Sequence, residues 1–329
     1  MVNQAKLLGN TLINLGQIFK PLQKVPLILV FLLGCQKAQE SKKNPSKITF
    51  TATTTQLADL LNTLTGGTDI EWFALMGPGV DPHLYQAKPR DLEKLLKSQF
   101  IIANGAYLEG KLFETLNEFS QNNPGRVFFL ADFIPREKQL EVSAESQLVD
   151  PHFWFDISIW NKGVESLVRE IIKSLPQTVK SQVLNNLENY TARLSRAEDE
   201  SRKFLKVIPK NQRVLVTSHD AFRYWGKAYD FEVYGLQGIS TSVEAGLGDM
   251  TRLGGIILSK GISTLFVESS VSTAAIEKLA NISNTRLGPQ IFSDALGGAG
   301  EMKENFDIGT LAGVHQYNAW IISHHLLKK

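Results

Sequence analysis

Two stretches of the chain share one pattern: Asp81-Pro82-His83-Leu84-Tyr85 and Asp150-Pro151-His152-Phe153-Trp154. In each, proline fixes its own φ and pushes the preceding residue toward extended backbone, so the histidine is presented from a constrained loop. A third histidine stands in Ser218-His219-Asp220, directly after the apolar run Val214 to Thr217. Asp294 follows the run Gln290 to Phe292 in the same way. Ligands of open parallel sheets bind outside the carboxyl ends of strands. His219 and Asp294 are predicted to stand at such ends, and His83 follows one after a glycine loop. Three imidazoles and one carboxylate form a donor set for a divalent transition metal, suiting zinc, copper, iron, nickel and manganese to differing degrees. Spacing alone leaves open whether the four groups converge. A single histidine is more often a loop or capping residue. His324 and His325, near the end of the last predicted helix, are read that way, because cations are favoured at helix C-termini. His315, with no matched partner, is assigned a structural role.

The elements that must position these groups alternate. Strands are predicted at Ile48 to Thr53, Glu71 to Met76, Phe100 to Ala103 and Val127 to Ala131, with a helical pattern after each of the first three strands. Beyond the middle of the chain the alternation returns, with strands at Val214 to Thr217, Glu232 to Leu236, Thr264 to Val267 and Gln290 to Phe292. Helices fall around Phe222 to Tyr229, Met250 to Leu258, Ala274 to Leu279 and Thr310 to Leu326. Such alternation implies parallel βαβ units. Between the two sets, Val179, Val183, Leu187, Tyr190, Leu194, Ala197 and Phe204 recur at spacings of three, four or their sum, marking one helix of about thirty residues within 175–210. The expected fold is therefore α/β: two similar lobes, each a four-stranded, mainly parallel sheet flanked by helices, joined by one long rigid helix. The lobes are placed at 47–174 and 211–329, each with its own core. A helical strut lacks the paired crossovers of freely hinging lobes, so exchange of a bound metal is expected to use loop movement and a small tilt.

The formal charge is +2, from 35 basic and 33 acidic residues, but Lys6, Lys20 and Lys24 lie in a leader without acidic residues. Without residues 1–34 the balance is 32 basic against 33 acidic, a charge of −1. No segment clusters Lys and Arg with interleaved aromatics, which argues against nucleic acid as a partner. The leader places lysines before a short apolar run, Val25 to Leu33, too short to span a bilayer but suited to an export signal. Leu32-Leu33-Gly34-Cys35 resembles the bacterial lipobox, which implies cleavage before Cys35 and lipid modification of that residue. Cys35 is the chain's one cysteine, so no internal disulfide or thiolate cluster can form. The polar segment 35–46 reads as a tether holding an exported protein at a bacterial membrane, facing the periplasm or cell exterior.

Met76 to Tyr85, Asn104-Gly105 with Leu108-Glu109, Asp150 to Trp154, Ser218 to Phe222, Tyr234 to Ser240, Phe266 to Ser270 and Phe292-Ser293-Asp294 together resemble the TroA-like and ZnuA-like solute-binding lipoproteins of zinc and manganese ABC transporters. The resemblance runs in order from about Lys47 to the C-terminus. It implies two lobes with a metal between them, ligands at His83, His152, His219 and Asp294, and Zn2+ or Mn2+ as the carried ion. It also implies a cognate ABC permease with its ATPase as partner and a monomeric, membrane-anchored carrier. Manganese-selective members tend to carry Glu where this chain has His219, and the softer nitrogen favours zinc. The long His-rich loop of many zinc-uptake members has no counterpart, because Gly105 to Val149 contains no histidine.

Two other classes compete with a binding protein. A metal-dependent hydrolase would keep three protein ligands, an open position for water and a nearby base. Here four ligands would fill a tetrahedral site, and Glu268, the one spare carboxylate, is expected to orient a ligand imidazole instead. A lipid-anchored adhesin or scaffold would need no converging donors. The expectation is a carrier rather than an enzyme.

Overall fold

Phe100–Ala103 is a four-residue run of aromatic, β-branched and small side chains, all buried, as suits an inner strand covered on both faces. The computed structural model describes residues 47–143 and 146–327. The predicted signal peptide, Cys35 and the tether lie outside the described residues.

The first half runs β1 (Thr49–Ala52), α1 (Thr55–Leu64), β2 (Glu71–Ala74), α2 (Pro89–Lys97), β3 (Phe100–Ala103), α3 (Gly110–Asn122) and β4 (Val127–Phe129). The four strands form one parallel sheet in the order β2-β1-β3-β4. α4 (Ile157–Ile171) follows; it was not anticipated, although Ile157, Trp160, Val164, Leu167 and Ile171 carry the helical period. Asp156 caps it, accepting from Ile159 N at 3.1 Å.

α5 (Gln177–Lys206) is the expected long helix, 30 residues and about 45 Å, with Pro176 at its N-cap. Its buried side chains are Val183, Leu187, Tyr190, Leu194, Ala197, Ser201 and Leu205. The seam drifts at its end, so Ser201 and Leu205 are buried there and Phe204 is half-buried. Ser201 is tolerated because its hydroxyl donates to Ala197 O at 2.8 Å.

The second half runs β5 (Val214–His219), α6 (Arg223–Tyr229), β6 (Glu232–Gln237), α7 (Leu247–Lys260), β7 (Thr264–Leu265), α8 (Ala274–Ser283), β8 (Arg286–Leu287), the hairpin strands β9 (Met302–Lys303) and β10 (Phe306–Asp307), and α9 (Leu311–Leu327). Its parallel pairing is broken into β5-β6 and β7-β8, joined where Phe266 N donates to Val216 O at 2.9 Å. The strand expected at Gln290 to Phe292 shrinks to a parallel bridge between Ile291 and Glu268. Pro289, which has no N–H to give the ladder, separates it from β8.

Two apolar clusters serve one half each: Leu95, Ile101, Leu112 and Leu116 under the first sheet, and Val216, Leu253, Ile257, Leu265 and Leu279 under the second. The largest cluster belongs to both halves. It joins Leu57 and Leu60 of α1, Trp160 and Leu167 of α4, the α5 seam, Tyr224 and Trp225 of α6, and Leu311 and Ile322 of α9. Phe155 stacks on Phe222 within it, ring centroids 4.4 Å apart. Each half therefore has some interior of its own and shares the larger part.

Candidate metal centre

Both Asp-Pro-His loops use their aspartate in the same local way. Asp81 Oδ1 accepts from His83 N at 2.8 Å, and Asp150 Oδ1 accepts from His152 N at 3.0 Å, the two-residue turn that Asp side chains favour. Their second contacts differ. Asp150 Oδ1 also lies 2.8 Å from His152 Nδ1 and so faces the ring, whereas Asp81 Oδ2 accepts from Thr241 Oγ1 at 2.6 Å. The loop after β3 braces both histidine loops without supplying a donor to the site. Asn104 Nδ2 donates to Pro151 O at 3.0 Å, and Gly110, at φ +49°, lies so close that a Cβ would stand 2.4 Å from His83 O. Glu109, buried, holds this loop by accepting from Thr53 Oγ1, Asn104 N and Gly105 N.

His219 is the last residue of β5. Glu268 accepts from its backbone N at 2.8 Å through Oε1 and lies 2.6 Å from its Nδ1 through Oε2. Gly235 lets β6 approach, since a Cβ there would lie 2.6 Å from His219 C. Asp294 follows the Ile291 bridge. Asn318 of α9 donates to Phe292 O at 2.7 Å and accepts from Phe292 N at 3.0 Å, fixing the chain just before it.

These four side chains meet. His152 Nε2 lies 3.4 Å from both His83 Nε2 and His219 Nε2. Asp294 carboxylate oxygens lie 3.2 Å from His219 Nε2, 3.4 Å from His152 Nε2 and 3.8 Å from His83 Nε2. One donor atom from each falls within 4.8 Å of all the others, and all four residues are buried. Neither Asp294 oxygen has a hydrogen-bond partner outside these imidazoles. Buried carboxylate oxygens left so are costly unless a cation takes them. The donor set fits a single divalent transition metal: Asp150 and Glu268 hold the Nδ1 side of two rings, which turns the Nε2 lone pairs toward Asp294.

Without metal, protons balance the carboxylate. Burial opposes charge on His152, but Asp150 and Asp294 outweigh it and hold its pKa up at about 9. His219 is likewise raised, burial being overcome by Asp294 and Glu268. Asp294 is held well below the usual carboxylate range despite burial, by His219 and His152. His83 is pushed down to about 3, chiefly by burial, and is neutral.

The remaining histidines stand elsewhere. His315 is buried on α9, and its Nε2 donates to Trp154 O at 2.9 Å. Burial lowers its pKa to about 4, so it too is neutral. His324 Nδ1 lies 2.9 Å from Trp320 O. A cleft of about 380 Å³, lined by Tyr107, Val142, Leu148, Gln237, Ile239 and Val243, opens beside His83, the least buried of the four donors.

Sequence reasoning singled out the four donors and Glu268. It passed over Asp150 and Asp81 as working residues, although an Asp two positions before each histidine is a readable signal. The bracing by Asn104, Gly110 and Thr241 carries no local signal, because it depends on which loops the fold brings together.

Comparison with known proteins adds the following. Residues 51–319 match the family described as zinc-uptake complex component A, periplasmic. The manganese-binding lipoprotein MntA of Bacillus subtilis is 35% identical over 292 residues, covering 87% of this chain and 92% of MntA. The zinc-binding protein TroA of Treponema pallidum is 36% identical over 268 residues, covering 80% and 83%. The solved structure of periplasmic zinc-binding TroA from the same organism superposes with a TM-score of 0.78 at 35% identity, over 85% of this chain and 99% of that one.

Proposed function

The chain belongs to the family of the periplasmic zinc-uptake component, the solute-binding proteins of zinc and manganese ABC importers, and from that membership we propose how it works. His83, His152, His219 and Asp294 bind one divalent ion as cargo, with zinc preferred to manganese. The chain then passes the ion to a cognate permease driven by an ATPase. The observation that carries this reading is the Asp294 carboxylate, buried and faced by three imidazole Nε2 atoms, with no hydrogen-bond partner outside those rings. Three nitrogens and one oxygen at tetrahedral number suit zinc; manganese prefers more oxygen.

Members of the family are transport components rather than enzymes. Catalysis here would need an open ligand position and a free base, and Glu268 is committed to His219 through both oxygens. Several relatives are named lipoproteins of ABC transporters, so the chain works outside the cytoplasm at a membrane. We further assign the anchor to an acylated Cys35 and the working form to a monomer. Among the described residues no helix is long and apolar enough to cross a membrane.

The test is metal analysis of protein purified without added metal, then competition between zinc and manganese. One equivalent of bound metal is expected, held far more weakly in His152→Ala and Asp294→Ala and with unchanged affinity in His315→Ala. Retention in the first two with loss in the third would overturn the ligand assignment, and tighter manganese would overturn the preference.

A further inference from the structure

Asp294 is encoded in the second half of the chain, but side chains of the first half hold the backbone from Ser293 to Leu296. Trp154 Nε1 donates to Ser293 O at 3.2 Å, Gln56 Nε2 donates to Asp294 O at 3.0 Å, and Leu296 N donates to Thr55 Oγ1 at 2.9 Å. Thr55 Oγ1 in turn donates to Gln56 Oε1 at 3.2 Å, which closes the clamp. Thr55, Gln56 and Trp154 are all buried. Their bonds go to backbone groups that no strand or helix pairs, and such groups, once buried, need partners. His219 differs: its backbone bonds go to Glu268, Thr217 and Ala221 of its own half.

We propose that Thr55 and Gln56, the first two residues of α1, are positioning residues that set the Asp294 carboxylate from the opposite half. This rests on the reading of Asp294 as a ligand. The carboxylate itself touches only the imidazoles that would share the metal with it, so its place follows from the backbone on either side. A shift of α1 relative to the second half is thereby carried to a ligand rather than absorbed by a loop. Asp294 stays with His83 and His152, and His219 is the donor tied solely to the second half.

A double-mutant cycle tests this, because a residue that acts through Asp294 loses its effect when Asp294 is gone. Zinc affinity and the rate of zinc loss to a chelator are measured for Thr55→Val, Thr55→Ser and Gln56→Leu, in wild type and in Asp294→Ala. Thr55→Val and Gln56→Leu should each weaken binding roughly tenfold and speed release, as loss of ligand-orienting partners does. Thr55→Ser, which keeps the hydroxyl, should match wild type. In Asp294→Ala the same substitutions should change affinity less than about twofold, whereas in His83→Ala they should keep their full effect. Equal losses with and without Asp294 would mark the clamp as general packing and overturn the proposal, as would unchanged affinity in the wild-type background. Melting of the metal-free variants checks folding, and should Gln56→Leu not fold, the Thr55 pair completes the cycle alone. Wild-type protein that binds no zinc or manganese would instead strike down the reading of the site itself.

Discussion

Asp150 Oδ1 meets His152 twice, at the backbone N (3.0 Å) and at ring Nδ1 (2.8 Å), so one oxygen fixes both the peptide and the ring of the same residue. Asp150→Asn keeps an acceptor for the backbone but changes what the ring sees. Zinc affinity should fall 10- to 100-fold, about the cost of losing such a partner. Titration calorimetry beside a melting curve of the metal-free protein would measure it. An unchanged dissociation constant would mean that the ring is oriented by something else.

The pH dependence differs from what reference pKa values suggest. Three free imidazoles would compete with metal near pH ~6.5. Here His83 is already neutral, so two protons matter, on His152 and His219. The metal-free form binds more protons than the loaded form, so affinity rises with pH. The slope should approach about two log units per pH unit near neutrality and fall by about one above about pH 9, where His152 loses its proton. Stability of the metal-free protein should move the other way. The raised pKa of His152 contributes stability in full below about 6.5, lost as pH climbs through about 9. Zinc competition and melting across that range check both signs.

His219→Glu replaces a nitrogen with a hard oxygen. The zinc-to-manganese affinity ratio should move toward manganese, and the pH slope should drop by about one proton. Parallel titrations with both metals decide it; the same ratio and slope in both proteins would remove His219 from the ligand set.

Gly110→Ala would place a Cβ against His83 O at a positive φ that L-residues avoid. A cost of roughly 1–3 kcal/mol in stability is expected, with weaker zinc binding because His83 must shift. Denaturant unfolding and zinc titration together would show whether the two losses accompany each other.

Cys35→Ser should release the protein from the membrane fraction while leaving zinc affinity in solution unchanged. Fractionation and titration measure the two effects. Tight retention of the variant would point to an uncleaved apolar segment as the anchor.

The four converging side chains were legible because their types are local facts, His219 closes a readable strand, and proline before a histidine is a constraint visible in the chain. The long helix was legible for the same reason: its buried seam recurs along one segment. What decides the geometry was not. Gln56 and Asp294 are 238 positions apart, and Thr241 reaches Asp81 from 160 positions away. Neither pairing leaves a trace at either end, since a buried Gln or Thr looks like any other until the fold chooses its partner. The second sheet was over-read because Gln290 to Phe292 has strand composition, while Pro289 beside it limits the ladder to a single bridge.

The apolar cluster shared by α1, α4, α5, α6 and α9 decides what can be cut. A fragment ending after α5 would bare the side chains that α9 covers, and a fragment beginning at β5 would bare those that α5 covers. Either piece made alone is a sticky half-interior, and it should be recovered soluble only when its complement is made in the same cell.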